Sequence, residues 1–260
     1  MKKRKLSMTS IVVVLTSLIT ISALYADNWV GAKSQDQFES GWLSASTYRH
    51  MTCGNFVNKM DSYSDSTRQY WTEIKGAKWR YLEGDGEGYG YGIDNVDIYM
   101  NCSHGGISGN SFTIAMWDEN DLVYSSQMRL GDDGRGLSIY TSYDCGQMNP
   151  SSGWSTRWSY LFKGGLRYAS AFWGSSYNSE DTQYFGRHYA ENLHNGLSLK
   201  YAWLNAMDDY AGNTPAVMAT GISSSSCDSR LSNMNWSNYK NYERYRDNRI
   251  TNYCMVRRQG

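Results

Sequence analysis

Short apolar runs punctuate the middle of the chain. Residues 96–101 carry apolar or aromatic side chains at 96, 98, 99 and 100. "FTIAMWD" (112–118) and "LSIYTSY" (137–143) are similar runs. Each is too short for a typical helix and is bounded by turn-forming residues, so each reads as a buried strand. "WVGAK" near the start reads as a first strand or its lead-in. From "SAST" to "NKM", Tyr48, Met51, Phe56, Val57 and Met60 recur near helical spacing and predict a helix. "DSYSDSTRQYWTEI" reads as a loop and a short helix. "EGDGEGYGYGIDN" is a glycine-rich loop whose acidic residues do not fall at the spacing of a calcium loop. "DENDLVYSSQM" and "RLGDDGRG" leave room only for a short helix or hairpin.

The pattern changes after Cys145. "WSTRWSYLFKGGLRYASAFWG" predicts a helix through Phe162, a Gly-Gly stop and a strand over 166–172. "EDTQYFGRHYAENLHNG" predicts an acid-started helix closed by Asn195-Gly196. "SLKYAWLNAMDDYAG" is amphipathic, with Leu199, Ala202, Trp203 and Ala206 on one face. "TPAVMATGIS" reads as the last strand. Strands alternating with helices predict an α/β, three-layer sandwich, with a mostly parallel sheet covered on both faces. No internal repeat or linker divides the chain, so residues 27–260 read as a single domain.

The N-terminus has its own character. "MKKRK" is basic, residues 6–25 are apolar with Ser and Thr interspersed, and Ala26 precedes a polar start. Residues 1–26 read as a signal peptide, with an uncleaved N-terminal anchor as the second reading. The expected location is secreted or cell-envelope, outside a bacterial cytoplasm, with no stable membrane insertion once the signal is removed. That removal takes four basic groups and no acidic ones, leaving 21 basic and 25 acidic residues and a net charge of −4. With no basic patch before "VRRQG", nucleic acid is not an expected partner. The 22 Tyr and 10 Trp against 2 Pro suit a densely packed core, or a surface that binds peptides or sugars.

The five cysteines are Cys53, Cys102, Cys145, Cys227 and Cys254, and their odd number leaves at least one thiol over. A Cys102–Cys145 bridge between neighbouring strands would abolish a nucleophile at 145. The preferred pairing is Cys53 with Cys102 and Cys227 with Cys254, leaving Cys145 free.

His104 follows the strand at 96–101 and Cys145 follows the strand at 137–143. In a parallel sheet, sites form at the carboxyl ends of strands. If the two strands are neighbours, an imidazole faces a thiol, which is the pairing an activated cysteine nucleophile needs. Gly105 would let the backbone approach a substrate, and its N–H with that of Cys145 would form an oxyanion site. His188 or His194 is the alternative base. No metal and no cofactor is expected: His50 and Cys53 lack a second pair, and no phosphate-binding loop is present.

"SHGG" (103–106) and "DCG" (144–146), histidine before cysteine, resemble the caspase-like cysteine peptidases, a group that includes caspases, legumain, clostripain and gingipain. The resemblance implies His104 and Cys145 as catalytic residues and a peptide or protein as substrate. Asp144 stands where such enzymes carry a small residue; pointing into a pocket, it would bind substrate and select a basic residue before the scissile bond. "GIDNVDIYMNCSHGG", "WSYLFKGGLRYASAFWGSS", "YFGRHYAENL" and "YAWLNAM", over residues 85–222, resemble the bacterial DUF6345 proteins of the same superfamily. The expected function is a secreted cysteine peptidase. The alternative is an inactive scaffold of the same fold, acting as a binding or structural protein.

Overall fold

The computed structural model describes residues 28–39, 43–69, 77–83, 88, 90, 92–117, 121–151, 153–207 and 214–258. The expected signal peptide lies outside them. The ordered elements are β1 (Asn28–Ser34), α1 (Thr47–Asp61), β2 (Ser66–Arg68), β3 (Ile98–Cys102), β4 (Gly105–Ser108), β5 (Ser111–Ala115), β6 (Leu122–Tyr124), β7 (Ile139–Ser142), α2 (Trp154–Phe162), β8 (Tyr168–Phe172), α3 (Phe185–His194), α4 (Leu199–Ala206), β9 (Pro215–Gly221), α5 (Ser224–Asn233) and β10 (Asn252–Arg257).

Seven strands form one sheet in the order β10-β9-β8-β7-β3-β1-β2. The run from β8 to β2 is parallel, whereas β9 is antiparallel to both β8 and β10. Strand alternation divides the core between two faces. Ile98, Met100 and Cys102 of β3 pack with Phe56 of α1, Tyr189 of α3, Trp203 of α4 and Leu231 of α5. Tyr99 and its neighbour Tyr140 of β7 pack with Trp158 and Leu161 of α2 and with Phe112 and Ile114 of β5. The α/β expectation of helices over both faces of a mostly parallel sheet therefore describes the chain. Among the described residues, large aromatics such as Tyr99, Tyr140, Trp158, Tyr189 and Trp203 serve these cores, whereas Trp79, Tyr177, Tyr184 and Tyr201 are exposed.

Glycine sets one helix contact that the site depends on. A Cβ on Gly186 would lie 1.9 Å from the Thr52 carbonyl oxygen, so only glycine lets α3 approach α1 this closely. Thr52 Oγ1 then donates to the Thr182 carbonyl at 2.9 Å, and Asn55 Nδ2 donates to the Gln183 carbonyl at 2.8 Å.

Two expectations need correction, and β4 and β10 were not foreseen. Residues 66–68 form an edge strand where a loop and short helix were expected. "GGIS" is a strand: β4 pairs with β5 through a two-residue turn, and β5 pairs with β6, in a separate antiparallel sheet. "TPAVMATGIS" is antiparallel and is not the last strand. The chain continues through α5 and then β10, which pairs with β9 along the sheet edge. Among the described residues no helix is long and apolar enough to cross a membrane.

Candidate functional site

The site sits at the carboxyl ends of β3 and β7. These strands are parallel neighbours, with Asn101 opposite Ser142. His104 and Cys145 each follow that pair by three residues, so the register alone brings the two strand ends side by side.

Asp144 locks the ends together. Its Oδ1 accepts the Ser103 N–H at 2.5 Å. Its Oδ2 accepts from Asn101 Nδ2 at 2.6 Å, Ser142 Oγ at 2.9 Å and Gln147 Nε2 at 2.9 Å. A buried chain extends the network: Tyr99 donates to Tyr81, and Tyr81 donates to Asn101 Oδ1. Asp144 is fully buried, and burial holds its carboxyl above the usual carboxylate range despite these donors. The expectation that Asp144 faces a substrate pocket is therefore corrected. Four donors inside the protein draw the carboxylate inward, leaving it nothing to offer a basic side chain.

Gly105 serves the same junction. A Cβ there would lie 2.7 Å from Asp144 Cβ and 3.1 Å from the Thr113 carbonyl oxygen. The close approach that its missing side chain permits is to the Asp144–Cys145 segment and to β5.

His104 and Cys145 are both brought to the site, and a third residue stands between them. Arg49, on the first turn of α1, is only 3% exposed. Its Nη1 lies 3.1 Å from His104 Nδ1. Its Nη2 donates to Cys145 Sγ at 3.4 Å and to the Ser176 carbonyl at 2.7 Å. A guanidinium only donates, so His104 Nδ1 must be the acceptor, and the ring proton resides on Nε2. Nε2 then donates to the Ser44 carbonyl at 3.0 Å. Burial, followed by the Arg49 charge, holds the His104 pKa below the usual histidine value, against the opposing pull of the Ser44 carbonyl. The imidazole is neutral.

The loop after β8 completes the environment of the sulfur. The Ser176 N–H donates to Sγ at 3.3 Å, and Ser176 Oγ lies 3.5 Å from it. Two residues on, Asn178 Oδ1 accepts the backbone N–H groups of Tyr48 and Arg49 at 3.0 and 3.1 Å. The same loop thus caps the helix that presents Arg49 and supplies a donor to Cys145.

The remaining cysteines are spent: Cys53 pairs with Cys102, Cys227 pairs with Cys254, and Cys145 is free. The alternative bases lie elsewhere. His188 is exposed on α3, and His194 stacks on Tyr63 with ring centroids 3.7 Å apart. His50 Nδ1 contacts Ser34 Oγ at 2.5 Å. Among the described residues, no cluster of three or more His, Cys, Asp or Glu could hold a metal.

Sequence reasoning missed Arg49 and Ser176. Arg49 carried a signal: it precedes Cys53 by four residues and Phe56 by seven, which places a charge on the buried stripe of α1. Ser176 carried none, being one serine in a loop.

Fold and site define a mixed α/β protein with a free thiol and a neutral imidazole at adjacent parallel strand ends, bridged by a buried arginine. The chain belongs to the DUF6345 family, described as a domain of unknown function, whose model matches residues 28–257. No curated protein matches the chain.

Proposed function

We propose that this protein is a secreted cysteine peptidase of the caspase-like type, with Cys145 as nucleophile and His104 as the proton carrier. The observation that carries the reading is the free Cys145 beside His104 in register, with Arg49 touching both. The two disulfides are compatible with an oxidising compartment outside the cytoplasm.

Thiol attack requires donors that support negative charge on sulfur, and Arg49 Nη2 and the Ser176 N–H are aimed at Sγ. Substrate entry would move Arg49 Nη1 off His104 Nδ1 and free that nitrogen to take the thiol proton. The Cys145 Sγ–carbon bond then forms, and the carbonyl electron pair moves to oxygen. His104 returns the proton to the leaving amine as the carbon–nitrogen bond breaks. Water, giving its proton to His104, hydrolyses the thioester and restores the thiol. The Gly105 and Cys145 N–H groups are the proposed oxyanion donors, each worth about 2.7–4 kcal/mol in comparable sites. Selection of a basic residue has no support from Asp144.

The test is hydrolysis of a mixed peptide library by the protein with both disulfides intact. Cleavage that disappears in Cys145→Ala and falls by at least about a hundred-fold in His104→Ala supports the reading. Cleavage retained in Cys145→Ala overturns it.

One observation favours the second reading, an inactive scaffold acting as a binding protein. Both ring nitrogens of His104 are already engaged, by Arg49 and by Ser44. On that reading Arg49 stays in place, no peptide is cleaved, and Cys145→Ala retains wild-type binding.

A further inference from the structure

The outer face of the β4-β5-β6 sheet carries a groove of about 280 Å³ that begins at His104. Strand alternation shows how it arises. Phe112 and Ile114 of β5 and Val123 of β6 point into the core. Gly106, Thr113, Ala115 and Leu122 therefore point the other way and are among the residues that line the groove, as are Leu43, His104 and the exposed Ile107 at its edge. The floor is made of small side chains: Thr113 is 7% exposed and Ala115 is 4% exposed. Leu43 and Leu122, both half-buried, form apolar walls.

Gly106 keeps the groove open. A Cβ placed on it would meet only Thr113 Oγ1, at 3.7 Å. The backbone does not require glycine there, because its φ is not left-handed. The absent side chain leaves space above the sheet. That space falls just below the range of ordinary small-molecule sites, so it suits a side chain better than a cofactor. Apart from the neutral imidazole, no titratable group lines it.

We infer that this groove receives an apolar side chain of a peptide, on the residue that follows the scissile bond. The direction rests on the peptidase reading. In acyl transfer the proton carrier lies beside the leaving nitrogen. The groove opens from His104, and Cys145 is not among its lining residues, so it lies on the leaving-group side.

Two measurements separate the groove from the chemistry. Peptides differing only in the residue after the cleaved bond (Leu, Gly or Asp) are compared by kcat/KM. Their affinity for the Cys145→Ala protein is measured by fluorescence anisotropy. Burying a leucine side chain predicts a preference for Leu over Gly of about ten-fold or more in both. Gly106→Val fills the groove and reduces that preference at least about five-fold. Leu122→Asp, at the half-buried rim, does the same by adding charge and serves as the second variant if Gly106→Val folds poorly. Cleavage that ignores this residue overturns the groove and leaves the peptidase reading intact. Leu-selective binding that Gly106→Val abolishes, without any cleavage, overturns the peptidase reading and leaves the groove standing. Neither binding nor cleavage overturns both.

Discussion

Cys53 and Cys102 are joined by a disulfide, and this bond ties the helix that presents Arg49 to the strand that delivers His104. The bond closes a loop with a sequence separation of 49, for which chain entropy predicts about 4 kcal/mol of stability. The Cys227–Cys254 bond closes a separation of 27 and predicts about 3.5 kcal/mol, but it joins α5 to the far edge of the sheet. Replacing either pair by alanine should lower the urea midpoint. Only the Cys53/Cys102 replacement should also change the rate at which a thiol reagent modifies Cys145. Equal rates in both double variants would show that the first disulfide does not position the site.

Asp144 is predicted to act through structure. Asp144→Ala leaves Asn101 Nδ2, the Ser103 N–H, Ser142 Oγ and Gln147 Nε2 without their acceptor. Each buried unpaired donor costs roughly 1–3 kcal/mol, so a loss of about 3 kcal/mol or more is expected in chemical denaturation. An Asp144→Ala protein of unchanged stability that loses only the cleavage of basic peptides would restore the pocket role for this residue.

Arg49→Gln removes the charge and the bridge. Modification of Cys145 by iodoacetamide should slow at least about ten-fold, because Sγ loses its cationic donor. Arg49→Lys should recover only part of the rate, since an ammonium cannot reach His104 Nδ1 and Cys145 Sγ with two separate nitrogens. A rate unchanged in Arg49→Gln would leave the arginine a purely structural role.

His104 predicts a pH dependence with a definite sign. Its folded pKa is depressed, so below the ordinary histidine value near 6.5 the unfolded chain binds a proton that the folded site resists. The stabilisation from a neutral His104 is present above about pH 6.5 and is lost as pH falls through the lower, folded pKa. His50, also depressed by burial, adds a parallel contribution. Thermal midpoints should therefore decline below about pH 6.5, and His104→Asn should flatten part of that decline. A decline identical in His104→Asn would assign all of it to other groups.

The fold was legible where a burial pattern was strong. The runs at 96–101 and 137–143 announced β3 and β7, because strands covered on both faces are almost continuously apolar. The helices ending at Phe162 and at His194 were marked by glycines close behind. Two elements near the C-terminus were missed: "SSSCDSRLSN" has little apolar content and buries only Cys227, Arg230 and Leu231, and "NYCMVR" is a half-exposed edge strand with none of its residues fully buried. "GGIS" gave no strand signal because two glycines have no side chains to alternate. At the site, the placement of His104 and Cys145 at neighbouring strand ends was legible; the odd cysteine count gave one thiol left over, but the pairing that frees Cys145 comes from the structure. The inward aim of Asp144 was not legible, because a lone carboxylate in a sequence does not reveal its donors.

The central claim is that Cys145 is a nucleophile, and trapping it is the most direct test. The folded protein, disulfides intact, is treated with a peptide carrying a thiol-directed electrophile and analysed by intact and peptide-level mass spectrometry. The account predicts a single adduct on Cys145, formed at least about ten-fold more slowly in Arg49→Gln and absent in Cys145→Ala. Protein that remains unmodified at Cys145, with Cys53–Cys102 and Cys227–Cys254 both intact, would contradict it.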